Sequence, residues 1–120
     1  MDNSYRIAVA SSDGIVVNQH FGHAGRFLIY EVESNGNFNL AEIRNTEPVC
    51  SFRNHDDEKL MKNMRMIQDC KYLLVSRIGN GASICAEQLG ITAMELPDLI
   101  ENSIRKIISY EQVQKLIGKE

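Results

Sequence analysis

Cysteine is scarce in this chain, and its spacing indicates no pairing. Only Cys50, Cys70 and Cys85 occur in 120 residues, and no two of them form a Cys-x-x-Cys pair. An odd number of widely spaced cysteines favours neither a disulfide framework nor a self-contained zinc site. We therefore expect a reducing compartment.

Long apolar runs and an excess of basic residues are also missing. No apolar stretch approaches the roughly 20 residues that a membrane-spanning helix requires, and the start of the chain lacks the basic and apolar regions of a secretory signal. Thirteen Lys and Arg against sixteen Asp and Glu give a net charge of −3, which is too acidic to attract nucleic acid phosphates. These absences predict a cytoplasmic protein with neither nucleic acid nor membrane as a partner.

Several catalytic signatures are absent as well. There is no Gly-x-Ser-x-Gly elbow of a serine hydrolase, and the Gly79-Asn80-Gly81 loop lacks the lysine and the length of a P-loop. The first predicted strand carries no carboxylate, whereas a metal-dependent nuclease needs several to hold two divalent ions. We therefore expect no enzyme, and a ribonuclease H-like nuclease is the least favoured function considered.

The composition that remains is that of an ordinary globular domain. Hydrophobic residues make up 43% of the chain and charged residues 24%, so neither disorder nor a membrane protein is indicated. At 120 residues, the chain is long enough for one hydrophobic core. We expect a single domain over residues 1–120.

The first half has the period of β-strands. The nearly continuous apolar run from Tyr5 to Ala10 predicts a strand that is buried on both faces. Arg26 to Glu33 alternates, Ser34 to Asn37 has a strong hairpin-turn composition, and Phe38 to Asn45 predicts the returning strand. This half is predicted to be an antiparallel meander.

The second half changes to a helical period. Apolar residues recur at helical spacing from Asp56 to Gln68, and Tyr72 to Val75 predicts a short buried strand. A further helix is predicted from about Gly81, with Gly90 at the position where a left-handed residue ends a helix. Ile91 to Glu95 supplies the fifth strand.

The C-terminal segment is predicted to hold two helices. Asp98 and Glu101 have the spacing of a capping box for the first of them, and its buried stripe consists of isoleucines at helical spacing. The second is short and ends the chain. The stripe is formed by Ile100, Ile104, Ile107 and Ile108, and the short helix contributes Val113, Leu116 and Ile117.

Together these elements predict an α/β fold with one mixed five-stranded sheet and helices on its faces. Right-handed crossovers favour the strand order 3-2-1-4-5, an arrangement that resembles ribonuclease H. In this order the loop after the first strand, with Ser11 to Asp13, and the loop after the fourth, with Arg77 and Gly79, open at the same sheet edge. Ligands favour such an edge.

The segment His20-Phe21-Gly22-His23 is the best candidate functional site. Imidazole is the commonest metal ligand at neutral pH, and a glycine that adopts positive φ would let the chain fold tightly enough to aim both rings at one point. The alternative is that both histidines are solvated or cap neighbouring backbone groups. Spacing alone does not decide between the two.

The order of these motifs resembles the dinitrogenase iron-molybdenum cofactor biosynthesis family, which includes NifX-like proteins and the C-terminal domain of NifB-like proteins. The resemblance covers roughly residues 5 to 110. In the first half it rests on Ile-Ala-Val-Ala-Ser-Ser-Asp-Gly at 7–14, His-Phe-Gly-His-Ala at 20–24 and Phe-Leu-Ile-Tyr-Glu-Val at 27–32. In the second half it rests on Asp69-Cys70, Leu73-Leu74-Val75, Arg77-Ile78-Gly79 and Leu89-Gly90-Ile91.

The resemblance implies a ribonuclease H-like fold and a non-catalytic role in nitrogen-fixation cofactor biosynthesis. A member would bind, hold or pass on an iron-sulfur cluster or an iron-molybdenum cofactor precursor between donor and acceptor proteins. Members also occur as small stand-alone domains outside nitrogen fixation. The resemblance therefore predicts a metallocofactor carrier more firmly than it predicts one particular cofactor.

The family's His-Phe-Gly-His pattern assigns His20 and His23 as ligands of an exposed metal edge. Two ligands leave a cluster releasable, as a carrier requires. Cys50 could add a thiolate and His55 a third imidazole if their loop folds towards His20. Arg77 and the amides around Gly79 could compensate the charge of an anionic cofactor.

Other residues are predicted to have structural roles. Cys70 lies at a helix-to-strand junction and Cys85 on an apolar helix face, where free cysteine usually behaves as a small core residue. Arg26, Arg44 and Arg53 are expected to remain solvated. The alternative function is a metal-free protein-interaction or regulatory module, in which the histidines only shape a loop.

Overall fold

The computed structural model describes residues 3–47 and 57–118. These segments contain five strands, three α-helices and one 3₁₀ turn. The strands are β1 (Tyr5–Val9), β2 (Arg26–Val32), β3 (Phe38–Asn45), β4 (Tyr72–Val75) and β5 (Thr92–Glu95). The helices are α1 (Asp57–Arg65), α2 (Asn80–Gln88) and α3 (Ile100–Leu116), and the 3₁₀ turn is Phe21–His23.

All five strands form one mixed sheet in the order β3-β2-β1-β4-β5. The pairs β1–β2 and β2–β3 are antiparallel, whereas β1–β4 and β4–β5 are parallel. The turn between β2 and β3 closes because Gly36 adopts a φ of +93°, which L side chains rarely do. The predicted α/β class, mixed five-stranded sheet and strand order are confirmed.

The sheet has a hydrophobic core on each face. On one face, Phe27 and Ile29 of β2 and Leu73 of β4 pack with Met64 of α1 and Ala86 of α2. The opposite face packs against α3, with the residues Ile7, Val9, Leu28, Leu74, Ile100, Ile104 and Ile107. The middle of β1 is fully buried because helices cover it from both sides, as its continuous apolar run predicts.

The C-terminal prediction of two helices was wrong, since α3 is continuous from Ile100 to Leu116. Between the two predicted helices lies Glu111, which is only 6% exposed. Its carboxylate accepts hydrogen bonds from the Tyr72 hydroxyl and, at 2.7 Å, from Lys71 Nζ. Because Tyr72 of β4 and Lys71 just before it bind this carboxylate, the helix continues past Glu111.

The predicted capping box was also wrong. The N-cap residue of α3 is Leu99, and Asp98 Oδ1 instead accepts from the Leu99 amide at 2.6 Å and from Asn102 Nδ2 at 3.3 Å. The Ile100 amide donates to the Ile15 carbonyl at 2.8 Å. The loop after β1 therefore provides a hydrogen-bond acceptor for an amide at the start of α3. A capping box would have provided such an acceptor from residues next to the helix start.

Helix α2 ends as predicted, because Gly90 adopts a φ of +78° directly after its last turn. Among the described residues, no helix has both the length and the apolarity needed to cross a membrane.

Candidate cofactor-binding site

The two histidines lie at the carboxyl edge of the sheet, where the parallel strands β1 and β4 end side by side. The segment that carries them runs between these two ends. The Gln19 amide donates to the Ala10 carbonyl at 3.3 Å, and the Ser76 amide donates to the Gln19 carbonyl at 3.0 Å. His20 forms an isolated parallel bridge with Arg77. The backbone on both sides therefore holds the start of the His20–His23 turn.

Phe21 anchors this turn in the core. Its side chain is 2% exposed and lies 5.7 Å from the Phe27 ring, measured between ring centroids. Its amide donates to the Arg77 carbonyl at 3.0 Å. The buried ring thus anchors the turn in the core, whereas His20 and His23 are exposed.

The tight folding of the turn does not come from positive φ at Gly22, as had been expected. Residues 21–23 form a right-handed 3₁₀ turn, in which the His23 amide donates to the His20 carbonyl at 3.0 Å. The glycines with positive φ lie elsewhere, and Gly22 is not among them. The hydrogen bonds to β1 and β4 and the burial of Phe21 hold the turn instead.

Both imidazoles are exposed and near each other. Their ring centroids are 5.4 Å apart, and their planes are stacked with 25° between them. Within the described residues, no hydrogen bond or ion pair involves either imidazole, and the His20 side chain does not cap the turn. The ring nitrogens are therefore available to a ligand, which weakens the alternative that these rings only cap backbone groups.

Arg77 and Gly79 lie beside the histidines, as the predicted strand order requires. The Arg77 side chain is exposed and has no ion pair or hydrogen bond with other described residues. Gly79 is the N-cap residue of α2, which has no side-chain cap and no acidic residue in its first turn. An unpaired cation and unblocked helix amides make this side of the site favourable for an anion.

The other loop at this edge, Ser11 to Asp13, is used internally. Asp13 Oδ1 accepts from the amides of Ile15 at 2.9 Å and Val16 at 3.0 Å, and from Ser11 Oγ at 3.1 Å. These bonds, with that from Ile15 contributing most, lower the pKa of the Asp13 carboxyl below its usual value. Asp13 therefore shapes the loop and already has its partners.

Two of the arginines that were expected to be solvated have structural partners. Arg26 Nη2 donates to the Ser12 carbonyl at 2.9 Å. Arg44 binds Asp69 at 2.7 Å and Glu42 at 2.9 Å. Of the arginines considered from the sequence, Arg77 is thus the one left unpaired within the described residues, and Arg53 lies outside them.

The remaining candidates are two predicted ligands and two cysteines with predicted structural roles. Cys50 and His55 lie outside the described residues. Cys70 and Cys85 are buried in the core, as predicted. Burial raises the pKa of the Cys70 thiol to about 12 and also raises that of Cys85, so neither thiol is suited to metal binding near neutral pH. Among the described residues, no group of three or more His, Cys, Asp or Glu could hold a metal ion.

Glu95 is a neighbour of the site that the sequence analysis missed. It is the last residue of β5, and its Oε2 accepts from the Ile78 amide at 2.9 Å, between Arg77 and Gly79. The predicted strand order already placed the end of the fifth strand beside the end of the fourth. That juxtaposition was the available signal, but the side chain's direction could not be deduced from it.

Comparison with known sequences shows one family. The family model described as dinitrogenase iron-molybdenum cofactor matches residues 3–110. The chain is 39% identical over 104 residues to a protein from Frankia alni named FeMo cofactor biosynthesis protein NifB, with 84% of this chain and 20% of that protein covered. A protein of the same name from Chlorobaculum tepidum is 28% identical over 112 residues, with coverage of 92% and 26%. The chain thus spans about a fifth to a quarter of these relatives.

Solved structures show the same fold. The crystal structure of the protein PH0822 superposes with a TM-score of 0.64 at 25% identity, covering 87% of this chain and 88% of the other. The NMR structure of a candidate NifB protein from Thermotoga superposes with a TM-score of 0.57 at 18% identity, covering 96% and 90%. These neighbours are similar to the chain over nearly its whole length.

Proposed function

Because this chain belongs to the dinitrogenase iron-molybdenum cofactor family, we propose that it is a non-catalytic carrier of an iron-sulfur cluster or an iron-molybdenum cofactor precursor. It would accept this cargo from a donor protein and release it to an acceptor during metallocofactor biosynthesis. The relatives from Frankia and Chlorobaculum are named FeMo cofactor biosynthesis proteins, which supports this class of cargo.

The observation that carries the proposal is the pair of unpaired imidazoles beside an unpaired guanidinium. His20 and His23 would bind exposed metal atoms of the cargo through neutral ring nitrogens. Arg77 and the amides at the start of α2 would compensate the negative charge of its sulfides. All these groups are exposed at one edge of the sheet, so a large cofactor could reach them without opening the core.

The same geometry favours reversible binding. A site with two protein ligands and solvent access holds a cluster less firmly than a closed four-ligand site. Cys50 and His55 remain proposed additional ligands, and the described residues do not include them. If they reach the histidines, they would strengthen retention.

We further propose that residues 1–120 form one cytoplasmic domain of ribonuclease H-like type. The strand order 3-2-1-4-5 supports this fold. Both hydrophobic cores pack on one shared sheet, which supports a single folding unit.

The test is anaerobic incubation with an iron-sulfur cluster donor, followed by gel filtration and analysis of protein-bound iron and sulfide. Wild type should retain both in stoichiometric amounts. The double variant His20→Ala, His23→Ala should lose them and keep its circular dichroism spectrum. Gln88→Ala, an exposed substitution on α2, should retain cluster like wild type.

The other outcomes lead to defined alternatives. If neither wild type nor the double variant retains cluster, the carrier proposal fails and the metal-free interaction module replaces it. If both retain cluster equally, the ligands lie elsewhere, and Cys50→Ser and His55→Ala are the next variants to compare.

A further inference from the structure

We propose that Glu95 is a positioning residue that sets the geometry of both halves of the candidate site. This inference rests on the proposed function for its consequence in binding, although its structural part can be tested without any ligand. Glu95 is assigned no contact with the cargo.

Glu95 contacts the backbone of the Arg77–Gly79 segment. The segment leaves β4 after Val75, and the Glu95 side chain comes from the end of the neighbouring strand β5. Its Oε2 accepts from the Ile78 amide at 2.9 Å. Because a hydrogen bond to an ionised carboxylate is stronger than one between neutral groups, this contact restrains the backbone on both sides of Ile78.

A second hydrogen bond connects the Arg77–Gly79 segment to the turn that carries the histidines. The carbonyl of Arg77 belongs to the same peptide unit as the Ile78 amide that Glu95 binds. That carbonyl accepts from the Phe21 amide at 3.0 Å. One rigid peptide plane therefore joins Glu95 on one side to the His20–His23 turn on the other.

The negative charge of Glu95 and its hydrogen bond have opposite expected effects on binding of the cargo. The Glu95 carboxylate brings a negative charge close to the backbone of Arg77. An anionic cargo bound beside Arg77 would be repelled by this charge. Direct electrostatic interaction with the cargo would therefore weaken binding, whereas positioning would strengthen it. The two roles predict opposite effects when the carboxylate is replaced, so they can be separated.

Two substitutions make this separation. Glu95→Ala removes both the charge and the hydrogen-bond acceptor, whereas Glu95→Gln removes the charge and keeps an acceptor for the Ile78 amide. Glu87→Ala serves as the control, because Glu87 is an exposed acid on α2 without a hydrogen bond or ion pair among the described residues. All three should keep the wild-type circular dichroism spectrum.

The first measurement is amide hydrogen exchange by NMR on the ligand-free proteins. Glu95→Ala should speed exchange at Ile78 by about tenfold, as expected for loss of a hydrogen bond to a charged group. It should also speed exchange at Phe21. Glu95→Gln, which keeps a neutral acceptor, should speed exchange at both amides less than Glu95→Ala does, and Glu87→Ala should stay near wild type. Faster exchange at Ile78 alone would show a purely local contact and would overturn the proposal.

The second measurement is retention of iron and sulfide after anaerobic reconstitution. Glu95→Ala should retain less than wild type, while Glu95→Gln should retain at least as much. Tighter retention by both variants would show that the charge, and not positioning, is the main effect, and would overturn the proposal. If wild type binds no cluster but the exchange pattern is as expected, the carrier function fails and the positioning role of Glu95 stands.

Discussion

At the scale of single residues, the partners that a side chain already has decide what it can do. Arg26 and Arg44 were expected to remain solvated, but both have hydrogen-bonded partners, whereas Arg77 has none among the described residues. Asp13 likewise has its carboxylate occupied by the loop that contains it. The candidate site is defined by the side chains that have no hydrogen bond or ion pair within residues 3–47 and 57–118, namely those of His20, His23 and Arg77.

Phe21 is the residue on which the position of both histidines depends most directly. Phe21→Ala should lower the free energy of unfolding by about 3–5 kcal/mol, because it leaves a cavity in a closely packed core. Phe21→Leu should cost much less, since it fills most of the space. Urea denaturation followed by circular dichroism measures both effects.

Phe38 provides the comparison for Phe21. It lies at the start of the edge strand β3 and is only partly buried, so Phe38→Ala should cost clearly less than Phe21→Ala. Equal costs would mean that the turn of Phe21–His23 is not anchored through its aromatic ring.

At the scale of elements, contacts between distant segments decide where helices end and how loops are held. The loop after β1 provides a carbonyl for the first amide of α3, and Tyr72 of β4 and Lys71 just before it bind Glu111 in a later turn of α3. Neither contact can be deduced from the sequence of α3 alone. This is why its start and its continuity were both predicted incorrectly.

Replacement of Glu111 should weaken the docking of α3. Burial by itself would raise the pKa of Glu111, but the hydrogen bonds from Lys71 and Tyr72 lower it below the usual 4.5. A carboxyl whose pKa is lowered by folding stabilises the protein above its unfolded pKa, and this contribution is lost as the pH falls through the folded value. At pH 7, Glu111→Gln should lower the free energy of unfolding by about 2 kcal/mol.

The measurement is urea denaturation of wild type and Glu111→Gln between pH 7 and pH 3. The difference between them should narrow below pH 4.5, where the wild-type carboxyl becomes protonated on unfolding. Gln112→Ala, at the adjacent exposed position, should have little effect. A difference that does not change with pH would show that the Glu111 charge contributes nothing.

The ion pair of Arg44 and Asp69 connects the edge strand β3 to the turn before β4. Hydrogen bonding to Arg44 is the main reason that the pKa of Asp69 is lowered from 3.8 to about 2. By the same sign rule, Asp69 stabilises the fold above pH 3.8 and loses this contribution as the pH falls to about 2. Asp69→Asn should therefore be less stable than wild type at neutral pH and equally stable near pH 2.

Thermal unfolding across this pH range measures the effect, and added salt should reduce it because Asp69 is partly exposed. Glu101→Gln removes one partner of an exposed pair within α3 and should change stability little at any pH. An equal effect of both substitutions would argue against a special role for the Arg44–Asp69 pair.

At the scale of the whole molecule, one sheet carries two cores and one candidate site. The cores on its faces share the strands β1, β2 and β4. The site lies at the edge where β1 and β4 end, so its position follows from the parallel pairing of these two strands. Because both cores pack on the same strands, unfolding of one should destabilise the other and the site.

This shared sheet predicts cooperative unfolding of both cores. Near-ultraviolet circular dichroism reports on Tyr72 in the core beneath α3, while thiol reagents report on Cys70 and Cys85 in the core beneath α1 and α2. In a Cys50→Ser variant, the two signals should change with the same midpoint in urea, as expected for a two-state transition. Separate midpoints would show that the faces unfold independently and would contradict the proposed single domain.

The sequence was sufficient for the sheet because its determinants are local. Alternation in β2, the hairpin-turn composition after it, the continuous apolar run of β1 and the change to a helical period are read within short windows, and the rule of right-handed crossovers limited the topology. The same reasoning placed the Arg77–Gly79 loop beside the first strand. The contacts of Glu95 and Glu111 were not accessible in this way, because each joins residues that are far apart in the chain.

By itself, then, the sequence determined the α/β class and the strand order and singled out the pair of histidines, since periodicity and motif spacing depend on neighbouring residues. Only the tertiary structure decided that Phe21 anchors these histidines, that Arg77 has no partner among the described residues and that Glu95 binds the Ile78 amide. The physical reason is that each of these features depends on the hydrogen bonds and burial that other segments provide. These partners become neighbours only when the chain folds, so patterns within a short stretch of sequence do not identify them.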